Sequence, residues 1–435
     1  MRSFALLCVL FAGVGAMSPA SAAAAASSTA SSARAAGNPN VVLIISDDQM
    51  WSDFSFMGHG IIKTPNLDKL AAESAVFPNG YVPTSLCRAS LASLMTGMYG
   101  TQHKICCNDF PTEKERSATY PFIKNAPTVP RLLAQAGFAS LQTGKFWEGH
   151  FANAGFTEGM SLGGRHGDDG LAIGRKTMAP VFEFIDKHAA ERRPFFVWYA
   201  PMMPHTPHNP PKKILDKYAG KTASPNIDAY YAMCEWMDET CGQLIAHLEE
   251  KKLRENTLIL FVIDNGWIQD PRDKGKFDPR SKRSPYDAGL RTPVLINWRG
   301  KVKPGRHEDL VTSLDLPSTI LAACGLAAPK TMQGVSLLDV AMGKEKSLAR
   351  DAVYGEIFTH DAAALDKPEL SMTHRWIRQG DWKLILPQTG VAGPPQLFNI
   401  KEDPTETNDL AAKRGDEVQR LRAALEKWWG AMHPA

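Results

Sequence analysis

Residues 84–97, from Thr84 to Gly97, have the sequence Thr-Ser-Leu-Cys-Arg-Ala-Ser-Leu-Ala-Ser-Leu-Met-Thr-Gly. A Pro-Thr-Ser turn precedes Cys87, and small or apolar residues continue to the glycine. This pattern predicts a loop that leads into a helix with Cys87 in its first turn. The N-terminus of a helix stabilises an anion or a low-pKa nucleophile, because its N–H groups are unpaired and its dipole end is positive. Taken alone, the stretch also allows an ordinary buried thiol.

Polar side chains follow four predicted strands elsewhere in the chain. Buried apolar runs alternate with helical segments, which predicts an α/β fold with a large, mostly parallel mixed sheet flanked by helices. The runs span residues 41–45, 138–142, 195–199 and 258–263. The polar residues that follow them are Asp47, Asp48, Lys145, His205, Asp264 and Asn265. Open α/β sheets bind ligands at the carboxyl ends of their strands, so we expect these side chains to share one crevice with Cys87.

The acidic members of this set predict a metal site. Asp47 and Asp48 are adjacent carboxylates, and Asp264 and Asn265 add a third carboxylate and an amide oxygen. Oxygen ligands suit a hard divalent cation, and a flexible, charge-rich site favours Ca2+, with Mg2+ as the alternative. Helix caps and turns use the same residue types, but two such pairs at strand ends, with Cys87 nearby, favour the metal. We therefore expect all five residues to be ligands.

The stretch around Cys87 resembles the signature of the type I sulfatases of the alkaline-phosphatase-like superfamily. In that family a Cys or Ser opens Cys-x-Pro/Ala-x-Arg, and a Thr-Gly follows. Here Cys87-Arg88-Ala89-Ser90 fits this pattern, and Leu91 stands where the commonest version has Arg. The resemblance implies that a maturation enzyme oxidises Cys87 to formylglycine, an aldehyde whose hydrate is the nucleophile. Arg88 is then the candidate to supply the charge that Leu91 lacks.

Three further segments resemble the same family and imply roles for single residues. Gly144-Lys145-Phe146-Trp147 is similar to a Gly-Lys-Trp-His segment, so Lys145 is expected to bind sulfate. Trp147 occupies the His position of that segment, and His150 and Glu148 are the alternatives for the role of the His.

The other two segments supply an imidazole and a second lysine. Residues 204–208, Pro-His-Thr-Pro-His, resemble a Pro-His-x-Pro loop whose His lies beside the substrate, which makes His205 the candidate proton donor to the leaving group. His208 is equally compatible with a structural role and with a role at the site. Residues 282–293 resemble a Lys-x-x-x-Tyr-Glu-x-Gly-x-Arg-x-Pro segment that begins with a lysine on both sulfate and nucleophile, here Lys282.

The pattern changes near residue 345. Short strand candidates and a closing helix predict a small antiparallel sheet with one helix, in which Gly380-Asp381 forms a tight turn. The strand candidates span 353–358, 376–379, 382–386 and 396–400, and the helix spans 417–429. Residues 378–384 and 397–404 also resemble the closing segment of the sulfatases. We expect a catalytic domain over 38–345 and a C-terminal subdomain over 346–435.

The N-terminus has the features of a secretory signal. Arg2 precedes the apolar run 4–16, and an Ala-x-Ala-like cleavage site ends at Ala22. The run is too short to span a membrane comfortably, so we expect residues 1–22 to be removed. Residues 23–37 are rich in Ala and Ser and predict a disordered leader. The mature protein is therefore expected to be periplasmic or secreted and free of the membrane.

Composition narrows the function without deciding it. A formal net charge of +3 over 435 residues is too weak a bias to indicate nucleic-acid binding. The spacing of the seven cysteines matches neither a dense disulfide framework nor a zinc motif, although it is compatible with isolated disulfides. Export, a basic loop at 270–283 and two tryptophans expected at the surface, Trp51 and Trp147, favour a sulfated carbohydrate, either a small molecule or an oligosaccharide.

Two alternatives to a sulfatase stay open at this stage. A phosphonate or phosphate ester hydrolase of the same superfamily can share the nucleophile motif, and it would prefer an aryl phosphate diester to an aryl sulfate. A non-catalytic, metal-containing protein that binds sulfated glycans would bind them and release no sulfate.

Overall fold

The computed structural model describes residues 1, 38–110 and 112–433 of the chain. The predicted signal and leader, with Cys8, lie outside the described residues apart from Met1. Within the described part, none of the helices combines the length and the apolar character needed to cross a membrane.

A nine-stranded sheet forms the main layer of the fold. Its strands are β1 (Asn40–Ser46), β2 (Ala75–Tyr81), β3 (Ala139–Gly144), β4 (Glu158–Gly159), β5 (Phe195–Ala200), β6 (Thr257–Ile263), β7 (Arg291–Asn297), β8 (Gly305–Arg306) and β9 (Val311–Thr312). Their order is β4-β3-β5-β1-β6-β7-β2-β8, and β9 also pairs with β2. The central strand β1 runs parallel to both β5 and β6, so the predicted mostly parallel mixed sheet is confirmed.

Helices cover both faces of this sheet. The α-helices of the described residues span Pro65–Ala72, Cys87–Thr96, Gly100–His103, Glu113–Ala118, Tyr120–Asn125, Val129–Gln135, Ala179–Ala190, Lys212–Tyr218, Pro225–Glu250, Asp287–Leu290, Asp315–Ala323, Leu338–Ala341 and Gly415–Met432. Alternate residues of β1 point to opposite faces, as the period of two of a strand requires. Val41 packs with the helix Cys87–Thr96 on one face, and Val42 packs with the helix Pro225–Glu250 on the other. Coverage of both faces explains why β1 is a continuous apolar run.

The sequence pattern did not predict strand β2. Its residues Pro78-Asn79-Gly80 are typical of a turn. In the structure β2 pairs antiparallel with β7, and its register shifts between Phe77 and Gly80. This irregularity accommodates the proline and the glycine inside a strand, so a turn signal is compatible here with a buried strand.

A second, four-stranded antiparallel sheet follows, as predicted. Its strands are β10 (Ala352–Phe358), β11 (Met372–Gln379), β12 (Trp382–Pro387) and β13 (Gln396–Asn399). The helix Gly415–Met432 packs on this sheet through Leu421 and Leu425. A buried lysine of β12, Lys383, connects this sheet to the segment after Lys282. Its Nζ atom lies 2.7 Å from Asp287 Oδ1 in that segment and 2.8 Å from Glu406 Oε1.

Candidate active site

The ends of β1 and β6 bring four predicted ligands together. The two strands are parallel neighbours, and Ser46 pairs with Ile263 at their carboxyl ends. The next residues therefore meet: the backbone N–H of Asp48 donates to Asp264 Oδ1 over 3.2 Å, and Nδ2 of Asn265 donates to Asp48 Oδ1 over 2.7 Å. Asp48 has a φ of 59°, a left-handed conformation that is uncommon outside glycine and that is found at functional sites.

Cys87 begins the helix Cys87–Thr96 and lies beside these carboxylates. Its Sγ atom is 4.0 Å from Asp47 Oδ1 and 3.8 Å from Asp48 Oδ1. Lys145, which follows β3, completes the contact, since its Nζ atom lies 2.6 Å from Asp47 Oδ1 and 3.2 Å from Cys87 Sγ. These residues are all buried, and the side chains expected to share the strand ends with Cys87 do meet there.

Lys282 and His205 contact the same cluster. Nζ of Lys282 lies 2.7 Å from the carboxylate of Asp48. Nε2 of His205 lies 3.4 Å from Asp48 Oδ2, and Nδ1 of His205 lies 2.6 Å from the carbonyl oxygen of Thr206. Because a carbonyl accepts only, Nδ1 donates to it, and Nε2 is the nitrogen turned toward the cluster.

The oxygen atoms of this cluster fit a divalent cation. Oδ2 of Asp47, Oδ2 of Asp264 and Oδ1 of Asn265 are buried and have no hydrogen-bond partner among the described residues. Buried polar atoms without partners are costly and rare, and a cation held by oxygen ligands would satisfy all three. Ligand atoms of Asp47, Cys87 and Asp264 also lie within 4.8 Å of one another. The donor set therefore matches a hard cation such as Ca2+ or Mg2+.

Burial dominates the electrostatics of the cluster. It raises the pKa of Asp47 to about 7, against the opposing charge of Lys145. It also acts to raise the pKa of Asp48, but Lys282 and the other nearby cationic groups outweigh it and hold that pKa below its ordinary value. Burial raises the pKa of the Cys87 thiol well above its usual range, so an unmodified Cys87 keeps its proton at neutral pH.

The structure gives Arg88 partners outside this cluster. Its Nε and Nη2 atoms donate to the two carboxylate oxygens of Glu148 over 2.7 and 2.9 Å, and Nη2 also donates to Thr119 over 2.7 Å. Among the described residues, Arg88 makes no hydrogen bond to the sulfur of Cys87. Leu91, at the motif position where Arg is commonest, is buried in the apolar core.

Other predictions around Lys145 have mixed outcomes. The expectation that Trp147 lies at the surface is wrong, because 2% of it is exposed. Glu148 is paired with Arg88, and His150 is exposed with its Nδ1 accepting from the backbone N–H of Ala152. The sequence did not single out His166, whose ring packs against Trp147, and the clustered glycines around it are the one signal that could have pointed to it. The six described cysteines are all free and buried.

Solved structures with the same architecture support the fold. The crystal structure of Ps i-CgsB in complex with k-i-k-neocarrahexaose matches with a TM-score of 0.73 and 24% identity, covering 90% of this chain and 92% of that one. The phosphonate monoester hydrolase of Agrobacterium radiobacter matches with a TM-score of 0.70 and 20% identity, covering 90% and 95%. At these identities the likeness concerns the fold alone, which is that of the alkaline-phosphatase-like superfamily.

Sequence relatives define the family. The family model described as Sulfatase matches residues 39–326, and the one described as N-sulphoglucosamine sulphohydrolase, C-terminal, matches residues 273–430. The first match covers more than half of the chain, which therefore belongs to the sulfatase family. N-acetylgalactosamine-6-sulfatase of Canis lupus familiaris is 27% identical over 89% of this chain and 85% of its own length. Arylsulfatase A of Homo sapiens is also 27% identical, over 89% and 86%.

Proposed function

We propose that this sulfatase hydrolyses sulfate esters on a sulfated carbohydrate and releases inorganic sulfate. The observation that carries the proposal is the contact of Lys145 with both Cys87 and Asp47, in a buried cluster that three further strand-end or loop segments complete. Sulfuryl transfer needs a positioned nucleophile, positive charge on the sulfuryl oxygens and an acid for the leaving group. The cluster offers a residue for each requirement. Relatives named N-acetylgalactosamine-6-sulfatase and a structural neighbour in complex with k-i-k-neocarrahexaose support a carbohydrate substrate.

The nucleophile is proposed to derive from Cys87 by oxidation to formylglycine, carried out by a maturation enzyme that is a partner of this chain. Formylglycine supplies a hydrated aldehyde, which offers one hydroxyl for attack on sulfur and a second hydroxyl for the later release of sulfate. The position of Cys87 supports this role, since its side chain lies between an ammonium group and two carboxylates at a helix N-terminus.

The residues proposed to hold the cation are Asp47, Asp48, residue 87, Asp264 and Asn265. A Ca2+ ion, or Mg2+ in its place, would supply positive charge at this cluster when bound. The three partnerless oxygens described above support this assignment.

Two lysines and one histidine of this chain complete the proposed reaction. Lys145 and Lys282 place ammonium groups on the cluster, and both can donate hydrogen bonds to sulfuryl oxygens, where negative charge accumulates. His205 is the proposed proton donor to the departing oxygen of the substrate. Its ring is fixed by the hydrogen bond to Thr206, so that Nε2 faces the cluster.

Location and domain organisation are proposed from the sequence. Residues 1–22 direct export, so the mature protein acts in the periplasm or outside the cell, and residues 23–37 form a leader. The catalytic domain spans 38–345 and the C-terminal subdomain 346–435, a division that the separate four-stranded sheet supports.

The proposal is tested by incubating matured protein with a panel of sulfated oligosaccharides and measuring free sulfate. Release from at least one member is the expected result. An aryl sulfate and an aryl phosphate diester are assayed side by side, and a preference for the diester would favour the ester hydrolase instead. Binding of a sulfated glycan without any release of sulfate would favour a binding protein.

A further inference from the structure

A glycine-rich loop places one more imidazole, that of His166, against Trp147, two residues after Lys145. Residues 163–170 have the sequence Gly-Gly-Arg-His-Gly-Asp-Asp-Gly. Oδ2 of Asp168 accepts hydrogen bonds from three successive backbone N–H groups over 2.7–2.9 Å, which fixes the loop. At Gly167 a Cβ atom would lie 2.2 Å from the carbonyl oxygen of Gly144, so only glycine allows this loop to approach the end of β3.

The backbone of His166 is held in an unfavourable conformation. Its φ is 68°, in the left-handed region that favours glycine. The carbonyl of His166 accepts the backbone N–H of Phe146 over 3.0 Å, which keeps the residue next to Lys145. Strain of this kind persists where the surrounding structure enforces it, and it concentrates at functional sites.

The ring of His166 is one aromatic side chain away from the reacting residues. It packs edge to face on the ring of Trp147, with centroids 4.7 Å apart and an interplanar angle of 80°. The same Trp147 ring lies 5.0 Å from Nζ of Lys145, and that ammonium group contacts Cys87. Trp147 therefore contacts both the ring of His166 and the ammonium group of Lys145.

A guanidinium fixes which nitrogen of His166 carries the proton. Nη1 of Arg165 lies 3.2 Å from Nδ1 of His166, and Arg165 is itself held by both carboxylate oxygens of Asp109. Because a guanidinium only donates, Nδ1 accepts, and the neutral ring carries its hydrogen on Nε2. Burial and the charge of Lys145 lower the pKa of His166 to about 3, so the ring is neutral at neutral pH. Within the described residues Nε2 has no hydrogen-bond partner.

We propose that His166 is a substrate-contacting residue whose Nε2–H donates a hydrogen bond to an oxygen of the bound sulfate ester, beside Lys145. Asp109 and Arg165 are positioning residues, because they hold the tautomer in which Nε2 is the donor. This inference rests on the proposed sulfatase reaction and adds a residue to it.

The test compares variants that carry the same content of aldehyde at position 87. His166→Leu removes the donor, and we expect kcat/KM for the sulfate ester to fall about 10- to 100-fold, as for the loss of one hydrogen bond to a charged group. His166→Gln keeps an N–H group and is expected to retain more activity than His166→Leu. His307→Leu is the matched control, because its ring stacks on Phe77 away from the cluster, and it should leave kcat/KM unchanged.

A further variant separates contact with substrate from a structural role. His166→Gly relieves the unfavourable φ, so its Tm should equal or exceed that of the wild type while its kcat/KM stays low. Full activity of His166→Gly or His166→Leu, in a wild type that does release sulfate, would overturn this inference alone. A wild type that releases no sulfate from any sulfated substrate would instead overturn the proposed function.

Discussion

The guanidinium of Arg88, the residue after Cys87, forms a bidentate ion pair with the carboxylate of Glu148. Both side chains are at most 2% exposed. Glu148→Leu leaves this guanidinium buried without its counter-charge, so we expect the free energy of unfolding to fall by about 3–5 kcal/mol. Urea unfolding measures the change. Asp216→Leu, which breaks the exposed pair with Lys212, is the control and should cost less than about 1 kcal/mol.

The same pair decides the role of Arg88. Removing both charges with Arg88→Met and Glu148→Leu leaves no buried unpaired ion, so most of the lost stability should return. The folded double variant should still release sulfate if Arg88 supports the helix start. Complete loss of sulfate release in a double variant of normal Tm would contradict that supporting role and favour the catalytic role predicted from the sequence.

Cation binding should stabilise the folded protein. Asp47, Asp264 and Asn265 each have a buried oxygen that a cation would satisfy, so adding Ca2+ to chelated protein should raise the free energy of unfolding by about 2–3 kcal/mol at a hundredfold excess over Kd. Asp264→Asn should reduce this shift, whereas Cys87→Ala should keep most of it.

Asp381→Asn is the matched control for the cation, because this carboxylate is exposed in the turn of the small sheet. It should show the full Ca2+-dependent shift in Tm. The metal assignment is contradicted if neither Ca2+ nor Mg2+ changes the Tm of the wild type.

Glu356 predicts a pH dependence of stability. Burial raises its pKa to about 7, although Thr101 donates to it from its side chain and its backbone. A carboxyl whose folded pKa is raised binds its proton more tightly in the folded state, so its stabilising contribution is present below the ordinary pKa and is lost as pH rises through about 7.

Urea unfolding at pH 5 and pH 8 measures this contribution. Relative to Glu356→Gln, which cannot ionise, the wild type should lose about 1–3 kcal/mol more between the two values. Glu402→Gln, at an exposed carboxyl, should leave the wild-type pH dependence unchanged. Equal pH dependence of the wild type and Glu356→Gln would show that Glu356 titrates normally.

The parts of the fold and the site that depend on local pattern were predictable from the sequence. The continuous apolar run of β1 and the similar run of β6 indicated buried parallel strands. The polar residues after them indicated the position of the cluster, because parallel strands present their carboxyl ends at one edge. The signal around Cys87 indicated the helix start that the structure shows.

The parts that depend on tertiary contacts were not predictable. Pro78-Asn79-Gly80 has the composition of a turn, and only its pairing with β7 makes it a strand. The sequence predicts Trp147 at the surface, but His166 packs against it in the structure. Arg88 pairs with Glu148, which lies 60 residues later in the sequence. A single sequence contains no local signal for any of these three contacts.

Cys87 should be indispensable for turnover. Cys87→Ala and Cys87→Ser both remove the thiol that maturation is proposed to oxidise, and both should abolish sulfate release while the protein still binds the cation. Sulfate release and the Ca2+-dependent shift in Tm are measured on the same preparations. Substantial activity of Cys87→Ala would contradict the mechanism.

The most direct test of the account is the mass of the tryptic peptide 70–88 from active, exported protein, since Cys87 is its only cysteine. Oxidation to the aldehyde replaces sulfur and two hydrogens by one oxygen, so the peptide should be lighter by about 18 Da than its unmodified form, whereas ordinary thiol oxidation adds mass. The predicted result is that the amount of the lighter peptide rises in proportion to the activity. Fully active protein in which this peptide carries only the unmodified thiol would contradict the account.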